Sequence, residues 1–126
     1  MAHDIIADAC NNIMNAKRAR KKSAVAKIYS KFLIEILKIA KTNGYVDDFK
    51  INEKEKSLKI SFDKINECGA IKPRYFADKK MIDMYVRRFL PARDFGIIIV
   101  STNKGLMTHK EAIEKNIGGA LIAYFY

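Results

Sequence analysis

The apolar run Ile97-Ile98-Ile99-Val100 constrains the fold of this chain more than any other segment. Four consecutive β-branched residues are too short a run for a helix and are typical of a buried strand. The polar segment Ser101-Thr102-Asn103-Lys104-Gly105 follows it, and Thr108 and Glu111 then have the spacing of a helix capping box. The sequence therefore predicts a polar loop that is held between a buried strand and a short helix.

The chemistry of this loop is suited to RNA. It offers hydroxyls, an amide, an ammonium and a backbone freed by Gly105, which can hydrogen-bond splayed bases and riboses without a catalytic acid or base. Small side chains permit close approach to a shallow minor groove, while Lys104 neutralises a nearby phosphate. The alternative interpretation is an ordinary tight turn, because Ser, Thr, Asn and Gly are also typical turn residues.

Two helices are predicted in the first half of the chain. Apolar residues recur at helical spacing over residues 5–14 and again over residues 33–40. Ser30 is a suitable N-cap for the second helix, and Asn43-Gly44 supplies its end. Cys10 lies on the apolar stripe of the first helix, so we expect it in the core.

Strands are predicted in the same half from the alternation of apolar and polar residues. Residues 23–28 are typical of a short strand, and two alternating runs flank the charged turn at residues 52–56. Such runs indicate a hairpin with one buried face, formed by Phe49, Ile51, Leu58, Ile60 and Phe62. Residues 1–66 are therefore predicted to form an α-β-α-β-β lobe.

A second lobe, mainly β with short helices, is predicted over residues 67–126. Residues 71–75 are predicted to be extended because Lys72 precedes a proline. Residues 78–89 have the pattern of a helix. The residues expected near the inner side of that helix are Met81, Met84, Tyr85 and Arg88. A turn at Gly118-Gly119 then leads into a closing strand over residues 121–125. The predicted class is α+β with two small lobes.

Charge is the strongest compositional signal, because 24 Lys and Arg against 14 Asp and Glu give a formal net charge of +10. Such an excess indicates a polyanionic partner. Residues 10–34 contain no acid and carry the basic side chains of Lys17, Arg18, Arg20, Lys21, Lys22, Lys27 and Lys31. A solvated face explains any single lysine, whereas the whole cluster favours a phosphate-binding patch. The preferred phosphate-binding residues in this half are Lys27, Ser30 and Lys31. They lie at the predicted start of the second helix, where free backbone amides favour a phosphate.

Composition also argues against several classes of protein. The 49% hydrophobic fraction excludes disorder over most of the chain, and no apolar run approaches the roughly 18 residues that span a membrane. Cys10 and Cys68 have neither disulfide nor metal spacing, which fits a reducing cytoplasm. His3 and His109 are expected at the surface or in capping roles. Without paired carboxylates or a triad pattern, the sequence predicts no enzyme, no cofactor, no metal and no small-molecule substrate.

Several ordered motifs resemble one known family. The segment from Ser101 continues through Asn116-Ile117-Gly118-Gly119-Ala120 to Tyr126, and other matches are Asp4-Ile5-Ile6-Ala7-Asp8, Glu67-Cys68-Gly69-Ala70-Ile71-Lys72-Pro73-Arg74-Tyr75 and Leu90-Pro91-Ala92-Arg93-Asp94-Phe95-Gly96. Together they resemble the eighth small-subunit ribosomal protein, here called the S-eight family. The Pro-Arg-aromatic ending looks like its archaeal and eukaryotic branch. The resemblance implies a constituent of the small ribosomal subunit that binds a junction in the central domain of its RNA.

The same resemblance implies an RNA contact at a glycine pair, and side-chain chemistry adds three further candidates. Gly118-Gly119 would lie beside the loop, where the lack of side chains would admit the RNA backbone. Three residues are interpreted either as packing and surface residues or as RNA contacts through stacking and phosphate bridging, namely Tyr75, Arg74 and Arg93. Two positions depart from the family's usual pattern, since Asn103 replaces a serine and Ala120 stands where many members carry a polar or charged residue.

The function predicted from the sequence is therefore direct binding of small-subunit ribosomal RNA, early enough to help its central region fold, beside neighbouring ribosomal proteins. The alternative is a stand-alone regulatory binder that represses its own message through the same surface. A small RNA-processing enzyme is a further alternative, but it would need an acid/base pair or a metal site, and the sequence offers no pattern for either.

Overall fold

The computed structural model describes residues 5–71, 76–92 and 95–126, apart from the side chain of Lys79. It divides the chain into two units, Met1–Gly69 and Ala70–Tyr126. Both units contain helices and antiparallel strands, which confirms the predicted α+β class. His3 lies outside the described residues.

The first unit has the predicted α-β-α-β-β order. Its elements are α1 (Ile5–Arg18), β1 (Ser23–Ala26), α2 (Lys31–Thr42), β2 (Asp48–Asn52) and β3 (Ser57–Ser61). The strands form an antiparallel sheet in which β3 lies between β1 and β2. Cys10 is buried on α1, as predicted.

Local sequence signals define α2 at both ends. The hydroxyl oxygen of Ser30 accepts a hydrogen bond from the backbone N–H of Leu33 at 3.2 Å, which confirms the predicted N-cap. Asn43 is the C-cap, and Gly44 follows it with a φ of +87°, a conformation that favours glycine. The buried stripe of the helix consists of Leu33, Ile36, Leu37 and Ala40.

The hairpin of the first unit is buried mainly through β3. Leu58 and Ile60 are buried, whereas Ile51 on β2 is 45% exposed and Phe49 is half-buried. The expectation that both strands share one buried face is therefore wrong for β2, an edge strand that pairs with β3 on one side. Asp48 is the first residue of β2, and its pKa lies below the usual value. The larger cause is the hydrogen bond that its carboxylate accepts from the Phe49 N–H, and the second is the nearby Lys41 ammonium.

From residue 68 onward, mostly within the second unit, the chain contains a five-stranded sheet and two helices. In chain order the elements are β4 (Cys68–Ala70), which lies at the boundary, β5 (Phe76–Ala77), α3 (Lys79–Phe89), β6 (Ile97–Thr102), β7 (Gly105–Thr108), α4 (His109–Glu114) and β8 (Gly119–Phe125). The sheet order is β4-β8-β6-β7, and β5 also pairs with β8. The core of this unit packs Ile82 and Val86 of α3 against Val100, Met107 and Leu121 of the sheet.

Helix α3 buries a different face from the one expected. Tyr85 and its neighbours Ile82 and Val86 are buried, but Met84 is 54% exposed, and Met81 and Arg88 are also exposed. Positions 82, 85, 86 and 89 form a continuous stripe without a charge, whereas the predicted stripe contained an arginine. The prediction is therefore wrong for Met81, Met84 and Arg88.

His109 is buried, contrary to the surface or capping role expected for it. Only 2% of its surface is exposed, and its Nδ1 accepts a hydrogen bond from the backbone N–H of Ile98 at 3.1 Å. The cap of α4 is instead Thr108, whose hydroxyl accepts from the Glu111 N–H at 3.3 Å, as predicted. His109 thus ties the first turn of α4 to the buried strand β6.

Candidate nucleic-acid interface

The polar segment predicted as a loop is a tight β-hairpin. Strands β6 and β7 pair directly, with Thr102 opposite Gly105, so the turn itself consists of Asn103 and Lys104. Both turn residues are exposed. Gly105 has a φ of +110°, which explains the need for glycine at this corner. The sequence prediction missed β7 because a strand of four residues directly before a helix is too short to show an alternating pattern.

The hydroxyls of Ser101 and Thr102 have different roles. Thr102 Oγ1 donates a hydrogen bond to the Gly105 carbonyl at 2.8 Å and accepts one from the Lys104 N–H at 3.1 Å. Its hydroxyl therefore fixes the shape of the turn. The half-buried Ser101 hydroxyl has no hydrogen-bond partner among the residues that the structure describes, and it is available to a ligand.

A groove lies beside the turn, and we call it the turn groove. Its volume is about 390 Å³, and its described lining residues are Phe76, Ser101, Thr102, Asn103, Asn116, Ile117, Gly118 and Gly119. None of these side chains carries a carboxylate, so a negatively charged ligand meets no like charge from them. The amides of Asn103 and Asn116 and the Ser101 hydroxyl can both donate and accept hydrogen bonds.

Gly118 and Gly119 are required by packing within the second unit. A Cβ on Gly118 would lie 2.5 Å from the Ala77 carbonyl oxygen, and a Cβ on Gly119 would collide with the carbonyl of Ser101. The absence of these side chains lets the start of β8 lie between β5 and β6. The expectation that they form a simple turn is wrong for Gly119, which is the first residue of β8.

Basic residues in the first unit are mostly free for solvent or phosphate. Exposed side chains occur at Arg18, Arg20, Lys21, Lys22, Lys27 and Lys31. Lys22 makes an exposed ion pair with Asp63 at 3.8 Å, which contributes little stability. Lys17 is half-buried and donates a hydrogen bond to the Asn66 carbonyl at 2.8 Å, so it has a structural contact in addition to its charge.

The anchors predicted at the start of α2 are partly engaged in the fold. The Ser30 hydroxyl oxygen is occupied by its capping bond, while the ammonium groups of Lys27 and Lys31 are exposed. Lys27 also lines a groove of about 380 Å³ in the first unit, together with Asn11, Asn12 and Val25 among others. Ser30 is therefore a weaker candidate for a phosphate contact than either lysine.

A comparison with known protein families matches nearly the whole chain. The family model described as Ribosomal protein S8 matches residues 4–126. The chain belongs to this family. A curated relative from Archaeoglobus fulgidus, named small ribosomal subunit protein uS8, is 40% identical over 129 residues, and one of the same name from Picrophilus torridus is 42% identical over 129 residues. Each alignment covers 100% of both chains.

Family membership confirms the resemblance found in the sequence motifs, and both of these relatives are archaeal. Members of the ribosomal protein S8 family are structural constituents of the small ribosomal subunit and are not enzymes. In the part of the chain that the structure describes, no helix is long and apolar enough to cross a membrane. Among the same residues, no group of three His, Cys, Asp or Glu side chains could hold a metal ion.

The structure brings together part of the predicted site and adds residues to it. Ser101, Thr102, Asn103 and both glycines line one groove, whereas Tyr75, Arg74 and Arg93 lie outside the described residues. Sequence reasoning missed three groove residues, namely Phe76, Asn116 and Ile117. The local sequence around Phe76 does not show whether its ring is exposed or buried, because β5 has only two residues. The position of Phe76 beside the groove becomes visible only through the pairing of β5 with β8.

We expect Gly119→Ala to destabilise the protein by about 1–3 kcal/mol, because the added methyl group forces β8 away from β6. Denaturant unfolding followed by circular dichroism measures this loss. Ala120→Ser is the matched control, since it adds one atom to the next, half-buried residue of the same strand. Equal stability of the two variants, with RNA binding lost only in Gly119→Ala, would contradict the packing role.

Proposed function

We propose that this protein binds the central domain of small-subunit ribosomal RNA directly and aids its folding during assembly, next to other ribosomal proteins. The main support for this proposal is the turn groove, where Ser101 and Asn103 place uncharged hydrogen-bonding groups at the exposed edge of the hairpin. Membership of a small-subunit protein family supports RNA as the ligand of this edge.

The hairpin edge is suited to reading the shape of RNA. Neutral hydroxyl and amide groups can hydrogen-bond riboses and base edges in a shallow minor groove or at unpaired nucleotides. A turn fixed by the Thr102 hydroxyl holds these groups in place before the RNA arrives, so little conformational entropy is lost on binding. This edge should therefore supply specificity for a folded junction.

The basic side chains of the first unit should supply general attraction. Contacts between lysine or arginine and phosphate release counterions and strengthen binding to any RNA, without reading its sequence. The exposed residues proposed for this role are Arg18, Lys21, Lys22, Lys27 and Lys31. Lys104 at the hairpin turn adds one cation next to the specific site.

Ser101→Ala tests the specific contact, because this hydroxyl has no described partner in the fold. We expect the ratio of affinities for the central-domain junction and a scrambled RNA to fall about 2- to 10-fold, the equivalent of one hydrogen bond. Fluorescence anisotropy with both RNAs at one salt concentration measures the ratio. Ser61→Ala, at a half-buried strand serine of the first unit, should leave it unchanged. Equal losses on both RNAs would exclude Ser101 from specific recognition.

A double substitution, Lys21→Ala with Lys22→Ala, tests the electrostatic contribution. Binding to all RNAs should weaken, and the slope of log affinity against log salt should flatten by about one for each phosphate contact that is lost. Titrations at several salt concentrations give the slope. The control removes two exposed lysines elsewhere in the same unit, Lys38 and Lys54, so that net charge is matched. A salt slope identical to that of the unmodified protein would show that Lys21 and Lys22 do not contact phosphate.

A further inference from the structure

We propose that the outer face of α3 docks an acidic amphipathic helix of a neighbouring protein in the small ribosomal subunit. This face, here called the methionine patch, consists of Met81 and Met84 with the basic residues Lys80, Arg87 and Arg88. The inference rests on the part of the proposed function that sets this chain next to other ribosomal proteins, and it adds a surface and a class of partner. It does not involve the turn groove.

The first observation is that two large apolar side chains lie on the solvent side of α3. Met84 is 54% exposed and Met81 is 40% exposed. The opposite face of the helix is buried through Ile82 and Val86, so the core fixes the orientation of α3. Because Met81 and Met84 are three positions apart, they are neighbours on the helix surface. A single exposed apolar residue is ordinary on a protein surface, but these two form a continuous apolar strip.

The second observation is that a cation lies at each end of this strip. Lys80 precedes Met84 by four positions and Arg88 follows it by four, so both basic side chains adjoin Met84 on the helix surface. At 1.5 Å per residue, Lys80 and Arg88 are about 12 Å apart along the helix axis. Among the residues that the structure describes, neither forms an ion pair with a carboxylate.

The arginines of the patch have different local contacts. The Arg87 guanidinium lies 3.4 Å from the Asp83 carboxylate one turn earlier, a surface pair that contributes little stability. Arg88 instead lies over the Phe89 ring, 5.7 Å from its centroid, and this cation–π contact leaves its charge without a carboxylate. Residues 80–89 thus carry three cations and one acid. A partner with negative charge would complement this face.

The chemistry of the patch favours protein over RNA. Methionine and arginine are both enriched at protein–protein interfaces, and the flexible thioether side chain of methionine adapts to the shape of a partner. RNA would meet the basic groups but would also cover Met81 and Met84. These side chains have neither an aromatic ring on which a base could stack nor a hydrogen-bond donor for its edge.

An acidic amphipathic helix matches both parts of the patch. Its apolar residues would cover Met81 and Met84, and carboxylates about two turns apart would reach Lys80 and Arg88. A second copy of this chain would not match, because its formal net charge is +10 and two such patches would bring like charges together. The occupant is therefore a different protein whose docking helix is acidic.

The experiment places the photo-crosslinking residue p-benzoylphenylalanine in the full-length protein in place of Met84, within assembled small subunits. After irradiation we expect a crosslink to a protein segment in which acidic residues flank apolar ones, and mass spectrometry identifies that segment. The same residue in place of Ile28, which is 52% exposed in the first unit, is the control and should not crosslink to it. A crosslink to RNA alone, to a segment without acidic residues or to no other molecule would overturn the inference.

A synthetic peptide of the crosslinked segment then tests the two parts of the patch. Met84→Ser and the double substitution Lys80→Glu with Arg88→Glu should each weaken binding of this peptide to the full-length protein about 10-fold. The matched controls, which should bind it normally, are Ile28→Ser and Lys38→Glu with Lys54→Glu. Thermal unfolding should be the same for all variants, because the replaced side chains are exposed. Unchanged peptide affinity in both patch variants would contradict docking at this face.

The outcomes separate this inference from the proposed function. If the protein enters small subunits and prefers the central-domain junction to scrambled RNA, but position 84 crosslinks to no protein, only docking at the methionine patch fails. If the unmodified protein neither enters small subunits nor prefers the junction, the proposed function fails as well.

Discussion

The missing side chain of Gly119 is the constraint on which the geometry of the turn groove depends. Because an added Cβ would collide with the Ser101 carbonyl, only glycine allows β8 to begin directly beside β6. The next residue, Ala120, then falls in register between Ser101 and Phe76. The requirement for glycine at position 119 thus places Ser101 and Phe76 on neighbouring positions of the sheet. The geometry of the candidate site is therefore a consequence of how the strands pack.

The proposed interface divides two physical tasks between the basic cluster at residues 17–31 and the turn groove. Charge acts over a Debye length of about 10 Å and is insensitive to sequence, so the cluster of basic side chains at residues 17–31 suits capture of any RNA. Neutral hydrogen-bonding groups act only at contact and require a fixed geometry, which the Thr102 hydroxyl and the β6–β7 pairing give to the hairpin. In this proposal the lysines of the first unit and the turn groove of the second unit have separate tasks.

Local signals were predictable from the sequence, and nonlocal ones were not. The caps at Ser30 and Thr108 were found because each depends on residues within three positions of the cap. Strand β7 and the burial of His109 were missed because both depend on pairing with β6, which no local pattern encodes. The same limit applied to the site: the polar turn was recognisable, but Phe76 joins it only through the strand pairing with β8.

Directed hydroxyl-radical probing locates the RNA on the surface of the protein. An iron chelate tethered at Asn103→Cys should cut small-subunit RNA close to the central-domain junction, since the native Cys10 and Cys68 are buried and leave the new thiol as the reactive one. A tether at Lys54→Cys, on the exposed turn between β2 and β3, should give weaker or different cuts. Cuts from a tether at Lys21→Cys, together with none from position 103, would overturn RNA binding at the hairpin, because the RNA would then contact only the basic cluster of the first unit.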